Sequence, residues 1–357
     1  MAQSYKEIHP KFKCNGTSYN REELKEVAYS LVKEGEAYEQ EIGDFLLDWL
    51  DGSDLIHVQT SGSTALPKHI RIKKQQMVHS ALATGQLFGL EAGTTALHCL
   101  PSRFIAGKMM WVRALVLGWE MDYVAPSSKL DIRKPYDFSA MIPLQLENAL
   151  SNINYIQTLI VGGAPMSMEL REKVQEKDTL IFETYGMTET ITHIAVKKVN
   201  HQKANENKDT FTTLPAVRVG IDARGCLVID APRISHAKVV TNDVVSLLSE
   251  TEFQWKGRYD NIINSGGIKL VPEVIEKIVS AYISQPFFVA GLADDSLGQR
   301  LVLLVEGSLD KTLLMDEISK ISALDKFQKP KEIYCLPNFV RTSNGKIQRS
   351  NTLKMLS

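Results

Sequence analysis

The chain of 357 residues has almost no charge imbalance: 41 Lys and Arg face 42 Asp and Glu, a net charge of -1. Without a basic excess there is no electrostatic footprint for nucleic acid as the main partner. Long apolar runs are also missing. The richest stretch, 109–119, is interrupted by Arg113, whereas a membrane-spanning helix needs about 20 mostly apolar residues. Residues 1–16 lack the apolar core of a secretory signal. Cysteine is scarce. Cys14, Cys99, Cys226 and Cys335 are spaced neither as a zinc cluster nor as a redox CxxC pair, so no disulfide is expected. No internal repeat or low-complexity segment stands out. These absences predict a cytoplasmic protein without membrane insertion, as a monomer or a homodimer.

What is present is ordinary in bulk and specific in detail. Hydrophobic residues make up 44% and charged residues 23%, as in folded globular proteins. The length exceeds what one core usually organises, so two domains are expected. Residues 21–33 and 41–50 read as amphipathic helices, and 55–59 as a strand feeding a polar loop. A helix is predicted over 72–90, a strand over 95–100 and a helix over 108–117. A strand over 156–161 leads to a helix over 168–176 with Ser167 as its cap. Another strand, 180–183, follows. Alternation of this kind is an α/β signature. Short apolar bursts at 226–230 and 244–248 suggest antiparallel elements. Pro272 fits the first turn of a helix, strands are expected at 287–290 and 301–305, and a helix at 313–324. The last hundred or so residues therefore read as a compact α+β domain.

Four polar runs can carry chemistry. In TSGSTALPKH, residues 60–69, Thr60, Ser61, Ser63 and Thr64 supply hydroxyls, Gly62 allows a tight backbone path and Lys68 adds a point charge. Such a loop can wrap phosphate or be a solvent turn. It is not a Walker A loop, since it lacks the GKS or GKT ending. In YGMTET, residues 185–190, Glu189 can reach triphosphate oxygens only through a divalent ion; otherwise it faces solvent. Asp243 in TND can accept ribose hydroxyls or cap a turn, and Arg258 can contact a nucleotide or form a structural ion pair. Lys346 lies in SNGKIQR, residues 343–349, where an exposed lysine is common.

Taken in order, these runs resemble the adenylate-forming superfamily of acyl-CoA synthetases, luciferases and peptide-synthetase adenylation domains. TSGSTALPK is similar to its phosphate loop, GGAP at 162–165 to its adenine-side segment, and YGMTET to its nucleotide and magnesium motif. TND resembles its ribose aspartate motif, GRYDNIINSGGIKLVPEVIE at 257–276 its hinge, and RTSNGKIQR at 341–349 the segment with its catalytic lysine. The resemblance runs from about residue 55 to the end. It implies a large N-terminal α/β domain over 1–257 and a smaller mobile α+β domain over 258–357, with a hinge at Asp260.

It also implies ATP, Mg²⁺ and coenzyme A as reactants or cofactor, and gives each residue a role. Lys346 would bridge carboxylate and α-phosphate. Thr188 would contact the α-phosphate, and Glu189 would hold the metal. Tyr185, Gly186, Gly163 and Ala164 would line the adenine side, Asp243 and Arg258 the ribose, and Gly266 and Gly267 the pantetheine approach.

Three departures accompany the resemblance. Ala65 and Leu66 replace the loop's usual glycine stretch. The region before the loop is shorter than in most members. In LPSRFIAGKMMWVRAL, residues 100–115, Phe104 stands where many members carry histidine or another aromatic, between Arg103 and Arg113. An aromatic wall with a cation suits an aromatic or dicarboxylic acid, although Phe104 also fits a core and either arginine a solvated face. AGKMM and YGMTETITH, which ends at His193, look most like the o-succinylbenzoate–CoA ligases of menaquinone biosynthesis. A ligase for another acid, a carrier-protein adenylating enzyme and an inactive nucleotide-binding homologue remain as alternatives.

Overall fold

The structure, a computed structural model, describes residues 4–59, 69–202, 209–235, 237–341 and 347–356. Its contacts divide the chain into two compact units. The larger comprises Met1–Val219, Ile229–Val239 and Ser249–Glu252; the smaller comprises Gly220–Val228, Val240–Leu248 and Phe253–Ser357.

The larger unit is built on a sheet whose middle is parallel. In spatial order its central strands are Leu180–Gly186, Ile156–Val161, Tyr136–Met141, Thr95–His98 and Glu120–Tyr123. Each neighbouring pair in that series runs parallel. His193–Lys198 and Phe211–Thr213 extend one side antiparallel. Thr95–His98 lies between Tyr136–Met141 and Glu120–Tyr123, so the chain winds outward from it in both directions. In such sheets ligands bind beyond the carboxyl ends of the strands, where the order switches.

The helix Ile105–Leu117 is buried nearly all round, with Met109, Met110, Trp111, Val112, Ala114 and Leu115 fully covered. Ser167 caps the helix Met168–Lys173 by accepting the Leu170 N–H at 3.1 Å, as its sequence position predicts.

The expected helix over 72–90 begins later. His69–Lys73 is a strand paired antiparallel with Leu55–Gln59, and the helix is Lys74–Phe88. The alternation in Ile70, Arg71, Ile72 and Lys73 has a strand's period of two, and buried Ile72 alternates with exposed Arg71 and Lys73. The strands Glu120–Tyr123 and Tyr136–Met141 were not marked by any sequence signal used above.

In the smaller unit, Gly298–Glu306 is central to a five-stranded sheet. It pairs antiparallel with Phe287–Asp294 and Ile263–Ser265 and parallel with Glu332–Leu336. Helices Pro272–Val279 and Lys311–Ser319 contribute Ile275, Val279, Leu314 and Ile318 to its core. Pro272 occupies the start of its helix, where no backbone N–H is needed. Among the described residues no helix is long and apolar enough to cross a membrane.

Candidate active site

Three of the singled-out segments follow the carboxyl ends of the parallel strands. The run from Leu100 to Phe104 follows Thr95–His98, the 162–165 loop follows Ile156–Val161, and Met187–Thr190 follows Leu180–Gly186. Gly163 and Ala164 are exposed, and Tyr185 and Thr188 are half-buried. Gly186 pairs with His193 across the antiparallel edge. A Cβ there would stand 2.3 Å from the Thr192 carbonyl oxygen and 2.5 Å from His193 Cα, so only glycine allows this approach.

Thr188–Thr190 forms a single 3-10 turn, braced by the Thr190 hydroxyl, which accepts the Met187 N–H at 3.0 Å. Ile191 then adopts φ 66°, ψ -58°, and the Thr192 N–H donates to the Thr190 carbonyl at 2.7 Å. This is the rare positive-φ γ-turn, unfavourable for a β-branched residue. Strain of this kind is kept where the surroundings over-determine it. Here it reverses the chain directly after Glu189 and delivers Thr192 and His193 inward.

Their inward neighbour is Arg113, 1% exposed. Its Nε donates to Thr84 Oγ1 at 3.3 Å, one terminal nitrogen to Thr192 Oγ1 at 3.4 Å, and the other approaches Met110 Sδ at 3.7 Å. Among the described residues no carboxylate forms an ion pair with it. Burial lowers its pKa below the ordinary guanidinium value. His193 is 3% exposed, and its Nε2 has no hydrogen-bond partner among the described residues. Burial, and then the Arg113 charge, hold the imidazole well below its ordinary pKa, so it is neutral at pH 7. A desolvated guanidinium beside a neutral imidazole with an open nitrogen suits an acidic ligand group.

Arg103 is placed differently. Its guanidinium bonds Glu41 at 2.8 Å, with the side chain 63% exposed, and lies over the Phe104 ring. Phe104 is half-buried just before the helix Ile105–Leu117. Arg113 and His193 are thus brought together, while Arg103 is tied to a surface ion pair.

In the smaller unit Asp243 is 5% exposed. Its Oδ1 accepts from Trp255 Nε1 at 3.2 Å and from Arg258 at 3.4 Å. Arg258 also pairs with Asp260 at 3.1 Å. Partial burial disfavours the Arg258 charge, but Asp243 and Asp260 outweigh it and raise the pKa above the ordinary guanidinium value. Asn242 donates to both Asp260 oxygens at 3.2 and 3.3 Å. Asn242, the middle residue of TND, therefore belongs to this cluster, as does Trp255, which no motif singled out and which the fold brings to Asp243. Gly266 and Gly267, at φ 58° and 81°, join the paired residues Ser265 and Ile268. Two successive positive φ values are what a two-residue hairpin of this twist requires.

Thr60, Ser61, Gly62, Ser63, Thr64, Ala65, Leu66 and Lys68 lie outside the described residues, as does Lys346. Among the described residues no cluster of three or more His, Cys, Asp or Glu side chains could hold a metal by itself. Glu189 is exposed. One accessible carboxylate completed by phosphate oxygens and water is a donor set that Mg²⁺ takes readily, so the residues fit that ion alongside a nucleotide.

Comparison with known proteins bears on the family and the fold. The family described as AMP-binding enzyme matches residues 16–228. A crystal structure of an acyl-CoA synthetase (AMP-forming)/AMP-acid ligase II-like protein from Dyadobacter fermentans is 34% identical, with a TM-score of 0.61, covering 93% of this chain and 98% of that one. The 2-succinylbenzoate–CoA ligase of Escherichia coli is 25% identical over 81% of this chain. The chain spans 66% of that relative's length. The corresponding ligase of Listeria monocytogenes is 26% identical over 92% of this chain and 75% of its own. A Bacillus subtilis o-succinylbenzoate–CoA synthetase, in complex with ATP and magnesium ion, shares the fold at a TM-score of 0.71 and 19% identity, covering 83% of this chain and 69% of that one.

Proposed function

The chain belongs to the AMP-binding enzyme family, and from that premise we propose that it is an ATP-dependent acid–CoA ligase acting on an aromatic dicarboxylic acid, o-succinylbenzoate. In the first step a carboxylate oxygen of the acid attacks the α-phosphorus of ATP. The bond from that phosphorus to the bridging oxygen breaks, pyrophosphate leaves, and an acyl adenylate remains. In the second step the CoA thiol attacks the acyl carbon and loses its proton; the thioester forms and AMP leaves. No protein nucleophile is required, so the chain's contribution is alignment and charge stabilisation.

Lys346 stabilises the α-phosphate and carboxylate oxygens in the first step, with Thr188 at the α-phosphate. The 60–68 loop binds the β- and γ-phosphates. Glu189 holds Mg²⁺, which neutralises phosphate charge when bound. Tyr185, Gly186, Gly163 and Ala164 bind adenine; Asp243 and Arg258 bind ribose. Asp260 is the hinge of a rotation that withdraws Lys346 before the thiol arrives, and Gly266 and Gly267 line the pantetheine approach. A cytoplasmic location accompanies this reading.

The observation that carries the substrate choice is Arg113, a buried guanidinium whose described partners are two hydroxyls and a thioether. A monocarboxylic acid uses its only carboxylate in the reaction. A dicarboxylic acid has a second one to satisfy this cation. The test is product formation from o-succinylbenzoate against benzoate, succinate and a medium-chain fatty acid. Preference for the aromatic diacid supports the reading, and equal use of benzoate contradicts it.

A further inference from the structure

Glu183 is the one charged residue of the strand Leu180–Gly186 and is 6% exposed. A buried carboxylate is costly unless both oxygens are engaged, and here they are. Oε2 accepts from Arg171 at 2.5 Å and from Lys197 Nζ at 2.9 Å, while Oε1 accepts the Met166 N–H at 3.3 Å. Lys197 is the residue directly opposite Glu183 on the antiparallel neighbour strand. Burial raises the Glu183 pKa, but Lys197 and Arg171 outweigh it and hold the carboxyl below its ordinary range.

The network reaches two elements at once. Arg171 Nε also donates to the Met166 carbonyl at 3.3 Å, so both backbone groups of Met166 are held by the Glu183–Arg171 pair. Met166 directly follows the Gly162–Pro165 run. On the other side, Lys197 pairs with Asp209 at 3.3 Å and lies 4.7 Å from the Phe211 ring centroid. Phe211 in turn meets the Tyr185 ring edge-on, centroids 5.8 Å apart. One buried carboxylate thereby ties the loop of Gly163 and Ala164 to the support of Tyr185.

We propose that Glu183, with Arg171 and Lys197, is a positioning group for the adenine end of the nucleotide site, setting nucleotide affinity and base selectivity. This rests on the adenylating reading above. It acts through Met166 and Phe211, so its loss alters base recognition while leaving Arg113 and His193 in place.

The test is calorimetric binding of ATP and of inosine triphosphate, which lacks the 6-amino group, to the full chain with Mg²⁺. Wild type, Glu183→Gln and Arg171→Lys are compared after circular dichroism confirms folding. Arg171→Lys keeps the charge and disturbs only the loop side, so it serves if Glu183→Gln does not fold. Glu183→Gln is expected to weaken ATP binding about 10-fold and to narrow the preference for ATP over inosine triphosphate; Arg171→Lys should do the same to a smaller degree. A folded variant with unchanged ATP affinity and unchanged base preference overturns the inference. Wild type that binds neither nucleotide overturns the adenylating reading together with it.

Discussion

Arg113 and His193 share the Thr192 hydroxyl: the guanidinium donates to it at 3.4 Å, and His193 Nδ1 lies 3.4 Å from it on the other side. The shared contact orders two buried basic groups without a described carboxylate beside them. A cation surrounded by neutral partners lowers stability, and in the proposed function the acid's second carboxylate supplies the negative charge.

Replacing Arg113 by Met should therefore separate function from stability. Loss of one partner of a buried charge pair costs about 2–4 kcal/mol, roughly 30- to 1,000-fold in kcat/KM for o-succinylbenzoate. Activity with benzoate, where present, should change much less. Thermal denaturation should show the variant as stable as wild type or more so, by about 1–3 kcal/mol. Equal loss for both acids, or a clearly destabilised fold, contradicts this account of Arg113. Arg103→Gln removes an exposed pair with Glu41, worth less than about 1 kcal/mol, and the guanidinium's contact with the Phe104 ring, and should leave the discrimination unchanged.

Lys346→Ala should divide the two half-reactions. Pyrophosphate release should fall by about 100-fold or more, the scale seen when a group stabilising transition-state charge is removed. Thioester formation from supplied acyl adenylate should be largely preserved. Equal loss in both steps, measured in separate single-turnover assays, argues for a general structural role.

Glu189→Gln should raise the Mg²⁺ concentration needed for half-maximal adenylation by about 10-fold or more, since a neutral amide is a poor ligand for a hard cation. The metal titration is the readout, and an unchanged curve excludes Glu189 from the metal site.

Much of the fold was legible because its signals are local. Ser167 as a cap, Pro272 at a helix start and the apolar strand over 156–161 each follow from a few neighbouring residues. The strand His69–Lys73 was absorbed into a longer helix because its two-residue alternation is brief and sits directly against a helical pattern. The site was legible as motifs, not as geometry. Arg113 and His193 are eighty positions apart, and only the fold makes both neighbours of Thr192. Glu183 reads in sequence only as part of a strand, although a carboxylate following Leu180, Ile181 and Phe182 signals a buried pair. Its partners, Arg171 and Lys197, are set by cross-strand register and helix placement, which spacing along the chain does not encode.

The most direct test is mass-spectrometric detection of thioester from purified protein with ATP, Mg²⁺ and CoA. The candidate acids are o-succinylbenzoate, benzoate, succinate and a medium-chain fatty acid. The account predicts o-succinylbenzoyl-CoA with AMP and pyrophosphate, and little or no thioester from the other three. Thioester from another acid in preference contradicts the role given to Arg113, and the absence of adenylate and thioester with every acid contradicts the proposed ligase activity itself.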